Sequence, residues 1–364
     1  MERSLLKELD KKSLTAFINR AREAWYQRLY WTKFFGLKYT TQLTWESLAG
    51  SGGTPVMADV VEYNASAPLK TRRTITKQSG DIPKIAIKRR MDEKDYNDYL
   101  TMKARALGDS NKSALLDLIF GDVDFCYTGV MARTEFLCLQ ALSYGEISLT
   151  SSNNNGIITA TDVDFGVPSD NKTAVGTVWS TAASATPLAD IKAKVVAASN
   201  NGHKIQKIIM DRTAFDYLVA TSEAKETFAA FRGVSSKTKQ FLMLQDVNLY
   251  LEGHLLPPIM IVDSSVRFED SEHTLSAVAP WKTGYVAFVT DQKVGSVKHG
   301  PIAEENAPSV KKSAIMTKRD HVLITKFSEL EPFAEFTKGQ ANAFPTFNDV
   351  DSIYLLKVDA TSWS

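Results

Sequence analysis

NKSALLDLIFGDVDFCYTGVMARTEFLCLQALSYG, residues 111–145, decides how the rest of the chain is read. Leu115, Leu116, Ile119, Val123, Cys126, Tyr127, Val130, Leu137, Cys138 and Ala141 follow i, i+3, i+4 spacing, the period of one helix face. Gly145 stands where a helix end favours a left-handed residue. The spacing predicts one helix over Asn111 to Tyr144, spanning on the order of 50 Å at about 1.5 Å per residue. That exceeds what a compact domain of ordinary size requires, so the helix reads as a spine. Cys126 and Cys138, the only cysteines, lie on it roughly 18 Å apart by helical rise, so neither a disulfide nor a metal knuckle is expected.

Upstream, Glu93 to about Leu107 reads as a shorter helix, broken from the spine at Gly108-Asp109. Before it lies SAPLKTRRTITKQSGDIPKIAIKRR, Ser66 to Arg90. This stretch holds Lys70, Arg72, Arg73, Lys77, Lys84, Lys88, Arg89 and Arg90 against the single acid Asp81, or +7 in a chain of net charge +1. The remainder carries +1 minus +7, or −6, so a basic segment stands against a mildly acidic body. Its ITKQSGDIPKIAIK centre predicts two short strands around a Ser79-Gly80 turn, and Pro55 to Lys88 a long two-stranded excursion. Such a ribbon is marginal in water and needs something to lie on. Gly50 to Gly53 is a hinge before it, and Ser4 to about Trp31 an amphipathic helical arm.

Downstream the pattern is mixed. Glu146 to Thr150 and Ile157 to Phe165 read as a hairpin around SSNNNG. Thr186 is expected to cap a helix begun by Pro187 and followed by Gly202, and Asp211 to cap another after a strand at Ile205 to Met210. Further strands are expected at Val247 to Leu251, Ile259 to Val262, Gly284 to Val289, Val322 to Phe327 and Ile353 to Val358. The class is α+β, with sheet strands drawn from distant parts of the chain.

The sequence offers little to chemistry. Asp162-Val-Asp164-Phe-Gly166 puts its glycine too early for a calcium loop, and Gly50-Ser-Gly-Gly-Thr54 lacks the lysine of a phosphate loop. His203, His254, His273, His299 and His321 are scattered without metal-ligand spacing, and no Gly-x-Ser-x-Gly elbow occurs. No enzyme activity, cofactor or metal is expected. MERSLLKELDKK has no apolar signal core, and no run is long and apolar enough for a bilayer span. For the basic ribbon three readings stand: phosphate contact without aromatic stacking, cationic protection of a strand edge, or docking on an acidic protein surface.

The order of parts resembles a known family. Arg28-Leu-Tyr-Trp31 with the aromatic-rich run to Thr40-Thr41, Arg89 with Asp92-Glu93, Glu135 and the Leu142 to Gly145 helix end come first. Val163-Asp-Phe-Gly166, Val178-Trp-Ser180, Arg232-Gly233, Gly295, Gly300, Glu335-Phe-Thr337, Pro345 and Asp351 to Val358 follow colinearly. Together they resemble the lambda-type major capsid protein E family of tailed phages, with the Hong Kong 97-type capsid fold.

That resemblance implies an N-terminal arm (1–53), an extended loop (54–90), a peripheral domain (91–164 and 321–364, with spine 111–144) and an axial domain (165–320). It implies a shell subunit of a double-stranded-DNA phage, self-assembling into hexamers and pentamers in the host cytoplasm and residing in the virion capsid. Implied partners are sister copies, with scaffold, portal and decoration proteins and weakly held packaged DNA, and no membrane. The extended-loop cations would meet a neighbour's spine acids, Asp117, Asp122, Asp124 and Glu135. An encapsulin-like nanocompartment shell and a monomeric DNA-binding protein are the alternatives.

Overall fold

The computed structural model describes residues 11–49, 57–58, 76–105, 109–150, 152–154, 162–233, 242–270, 272–307 and 314–363. The chain divides into two compact units. One comprises Met1–Trp45, Gly80–Cys138 and Val297–Pro345; the other comprises Glu46–Ser79, Leu139–Ser296 and Thr346–Ser364.

In the first unit, α1 (Lys11–Tyr26) buries Leu14, Ile18 and Ala21, one stripe at helical spacing, and packs on β14 (Ile315–Arg319). The short α2 (Trp31–Phe34) runs into β1 (Phe35–Tyr39). Among the described residues β1 begins a six-stranded sheet ordered β1, β13 (Gly295–His299), β16 (Phe333–Phe347), β15 (Val322–Leu330) and β14, with β4 (Lys84–Met91) also pairing with β16. β4 and β15 both run antiparallel to β16, which is buried along most of its length. The helices α3 (Glu93–Arg105) and α4 (Asp109–Tyr144) follow β4, and α9 (Ala303–Asn306) follows β13.

The spine prediction holds to within two residues at its start, and Gly145 takes φ +77° at its end. Cys126 and Cys138 are free and buried. The expected single apolar face describes only part of α4, because from Thr134 to Ser143 all but Gln140 are buried, so the helix is enclosed all round there. Gly339 of β16 lies against it: a Cβ there would stand 2.5 Å from the Cys126 carbonyl oxygen, and Cys126 Sγ lies 3.3 Å from the Thr337 carbonyl. On that strand pair Lys326 and Glu335 form an ion pair of 3.2 Å, with side chains 1% and 0% exposed.

The second unit contains a sheet ordered β7 (Lys172–Ala174), β17 (Ile353–Lys357), β12 (Tyr285–Val289), β8 (Lys207–Asp211) and β9 (Ile259–Val262). Its outer pairs are parallel and its inner pairs antiparallel. Ile208, Met210, Val286, Phe288, Tyr354 and Leu356 of the sheet share a core with α5 (Pro187–Asn200), α6 (Arg212–Ala220), α7 (Ser222–Arg232) and α8 (Leu244–Gly253). β5 (Glu146–Ser148) and β6 (Asp162–Asp164) form the expected antiparallel pair, with residues 157–161 of the anticipated second strand outside the described residues, and β10 (Val266–Glu269) pairs with β11 (Leu275–Val278).

Several local expectations are corrected. Val247 to Leu251 is helical, within α8, because Val247 and Leu251 at i, i+4 both reach the core. Asn248 between them clamps Ile259, accepting from its N–H at 2.7 Å and donating to its carbonyl at 3.0 Å. Neither Thr186 nor Asp211 caps its helix with a side-chain hydrogen bond. The first-turn N–H groups of α5 instead reach Glu223 of α7, from Leu188 at 2.9 Å and Ala189 at 3.2 Å. Ser79-Gly80 is not a turn. Both residues lie inside β3 (Thr76–Asp81), where a Cβ on Gly80 would come within 2.8 Å of Trp45 Nε1. β4 begins after Ile82-Pro83, and β3 and β4 do not pair with each other: β3 pairs with β2 (Thr44–Ala49), and β4 with β16.

Candidate assembly surface

In the first unit the N-terminal limb is fixed by charge-assisted hydrogen bonds. Glu135 of α4, 1% exposed, accepts from Tyr30 N–H at 3.0 Å with one carboxylate oxygen and from Trp31 N–H at 2.8 Å with the other. These are donors that the opening turn of α2 leaves without helical acceptors. Arg22 of α1 donates to Asp320 at 2.6 Å and lies 4.4 Å from the Tyr26 ring centroid, and Tyr127 of α4 donates to the same Asp320 oxygen at 3.4 Å. Burial and Asp320 together keep the Tyr127 hydroxyl protonated, pushed well above the ordinary tyrosine range.

The cations read from the sequence divide into three groups. Lys70, Arg72 and Arg73 lie outside the described residues. Lys77 pairs with Glu46 at 2.5 Å, both about half exposed. The remainder sit on β4, whose alternation separates two faces. Lys84, Lys88 and Arg90 are exposed on one, where Lys84 lies 3.3 Å from Glu304 and Lys88 stands 4.5 Å from the Phe336 ring centroid. Glu304 also takes Lys338 at 2.9 Å; its partial burial works upward on its pKa, but the hydrogen bond and charge of Lys338 outweigh it and hold the carboxyl at about 2. On the other face Arg89 lies 3.3 Å from Asp122 and 4.3 Å from the Phe125 ring centroid of α4.

Two expectations about this surface are therefore corrected. The surface that residues 84–91 lie on is their own chain's, because β16 supplies their ladder partner from Glu335 to Asn342. The spine acids do not form one outward set. Asp122 already meets Arg89 within the chain, and Glu135 is buried under the arm, since a carboxylate with two backbone donors is stabilised there and has no free oxygen to offer a neighbour. Asp124 is half-buried, which raises its pKa. The side chain of Asp117 is outside the description, although its backbone is in α4. Sequence reading also missed Glu304, Glu305, Arg22 and Asp320. The adjacent acids at 304–305 between a glycine-flanked strand and a basic run were the available signal.

β2 and β3, which bracket residues 50–75 in sequence, form a two-stranded sheet, and Ile82 N–H donates to Leu43 O at 2.9 Å. Among the described residues there is no cluster of His, Cys, Asp and Glu suited to a metal and no helix long and apolar enough to cross a membrane.

A long spine helix, a sheet assembled from distant strands and an α+β unit together define the Hong Kong 97-type capsid fold. The chain belongs to the family described as phage major capsid protein E, whose profile matches residues 10–358. No curated protein matches it. Among solved structures it is similar to a putative capsid protein of a prophage in E. coli CFT073, at 14% identity and TM-score 0.58, covering 96% of this chain and 99% of that one. It is also similar to a phage-related protein of Bordetella bronchiseptica RB50, at 11% identity and TM-score 0.54, covering 96% and 98%. The family is one of structural capsid proteins of the virion.

Proposed function

We propose that this chain is the repeating subunit of a tailed double-stranded-DNA phage shell, assembled from hexamers and pentamers of itself in the host cytoplasm. Scaffold, portal, decoration proteins and weakly bound packaged DNA are its further partners. The observation that supports the subunit contact is the pairing of β2 with β3, the strands that bracket residues 50–75 in sequence, and family membership supplies identical copies for a loop contact. In this reading the arm is 1–53, the extended loop 54–90, with β4 as its root on the subunit's own sheet, the peripheral domain 91–164 with 321–364, and the axial domain 165–320. Lys70, Arg72 and Arg73 meet the neighbour, with Lys77, Lys84, Lys88, Arg89 and Arg90 shaping the root. Exposed pairs contribute about 0–1 kcal/mol each, and closure of a ring of copies multiplies them.

The test is charge reversal at Lys70, Arg72 and Arg73, read by analytical ultracentrifugation with circular dichroism. A folded chain that sediments as a monomer, against capsomers or megadalton particles of the parent, is the expected result. Unchanged assembly of the variant at low and high salt rejects the loop contact. A parent that stays monomeric and shifts only on DNA, with a steep salt slope, favours the DNA-binding alternative.

A further inference from the structure

Two imidazoles lie together beneath the N-terminal limb of the first unit. His321, 1% exposed at the start of the β15 turn, has Nε2 3.0 Å from Thr134 Oγ1 of α4. Its Nδ1 is buried with no hydrogen-bond partner among the described residues, and so is Nδ1 of His299 on β13. The ring centroids are 6.3 Å apart. The limb covers both: Trp31 of α2 lies edge-on to His321 at 6.0 Å, Tyr39 of β1 lies edge-on to His299 at 5.5 Å, and Thr40 N–H donates to the His299 carbonyl at 2.8 Å.

We propose that His299 and His321 form an acid-released latch on the N-terminal limb. Neutral, the pair is an aromatic floor on which Trp31 and Tyr39 pack. Protonated, each ring carries a buried Nδ1–H with no acceptor, and two cations face one another, His321 fully buried and His299 half-buried, a state that the closed limb disfavours and an open one relieves.

The surrounding charges do not cancel this preference. Asp320, beside His321, favours protonation of both rings, but Arg22 and Tyr127 already hydrogen-bond its carboxylate. Lys318 of β14 opposes protonation of both, and it is paired at 2.9 Å with Glu305 of α9, which favours protonation of His299. Glu135 on α4 is occupied by the Tyr30 and Trp31 N–H groups. Burial outweighs these influences, lowering His299 and bringing His321 to about 4. With an open-state value of about 6.5, His321 alone raises the open population about 30-fold between pH 8 and pH 5.

Hydrogen exchange of the full-length chain at pH 8 and pH 5, expressed as protection factors, tests the latch. Amides of residues 31–39 are expected to lose about 30-fold in protection at pH 5, while those of β12 and β17 hold. The His299→Gln, His321→Gln double variant is expected to keep limb protection the same at both pH values. Equal loss in limb and β12, or the same acid loss in the variant, overturns the proposal. Should the variant not fold, imidazole C2–H exchange of the parent, followed by mass spectrometry, decides instead. Titration of His299 and His321 below the ordinary imidazole value of about 6.5 supports the latch, and titration at that value overturns it.

Discussion

Replacing Glu135 by alanine removes one carboxylate and leaves two backbone donors without an acceptor. Those donors, the N–H groups of Tyr30 and Trp31, lie 3.0 and 2.8 Å from separate carboxylate oxygens, and Trp31 is itself 0% exposed. Hydrogen bonds to a charged acceptor contribute about 1.5–3 kcal/mol each, so the pair is worth roughly 3–6 kcal/mol before relaxation. Water can follow the truncated side chain toward Tyr30 more readily than toward Trp31, which brings the expected loss to about 3–4 kcal/mol. For a unit of this size that lowers the melting temperature by roughly 6–16 °C. Glu135→Gln keeps the volume and one acceptor, but its amide NH2 faces the second donor, so it falls between parent and alanine. Denaturant and thermal melts measure the size of the loss, and hydrogen exchange at Tyr30 to Phe34 locates it. An alanine variant within about 1 kcal/mol of the parent would refute the claim that this carboxylate anchors the limb.

Two further predictions rest on single buried cations. Lys326→Met removes the lysine of the buried Lys326–Glu335 ion pair and is expected to cost about 3–5 kcal/mol in urea unfolding; adding Glu335→Leu is expected to recover most of it, and a double variant no better than the single one would contradict the pairing. Lys194, 6% exposed with Nζ 2.9 Å from Thr173 Oγ1, is lowered by burial to about 8. A lysine whose folded value lies below its unfolded one contributes fully only above about 10.5 and loses that stability as pH falls toward 8. Lys194→Met is therefore expected to be the more stable chain at pH 7 by up to about 3 kcal/mol, with the advantage shrinking as pH rises from 8 to 10.5; a pH-independent difference would exclude the linkage.

Local periodicity by itself determined the spine, its glycine stop, the strands at 259–262, 285–289 and 353–357 and the α+β class, because helix and strand repeats are written in near neighbours. The order of those parts also carried the capsid family. Tertiary structure alone decided the rest. β16 went unread although it is fifteen residues long, since Gly339, Gln340, Asn342 and Pro345 break any strand signature; it is a strand because β4 and β15 flank it and α4 needs a glycine at its closest approach. Val247 to Leu251 is apolar enough for either structure, and only the core beneath α8 made it a helix. Charge pairing depends on distances that a linear chain does not contain: Arg89 and Asp122 were legible as complementary, but whether they meet within one subunit or between two was settled by β4 joining its own sheet.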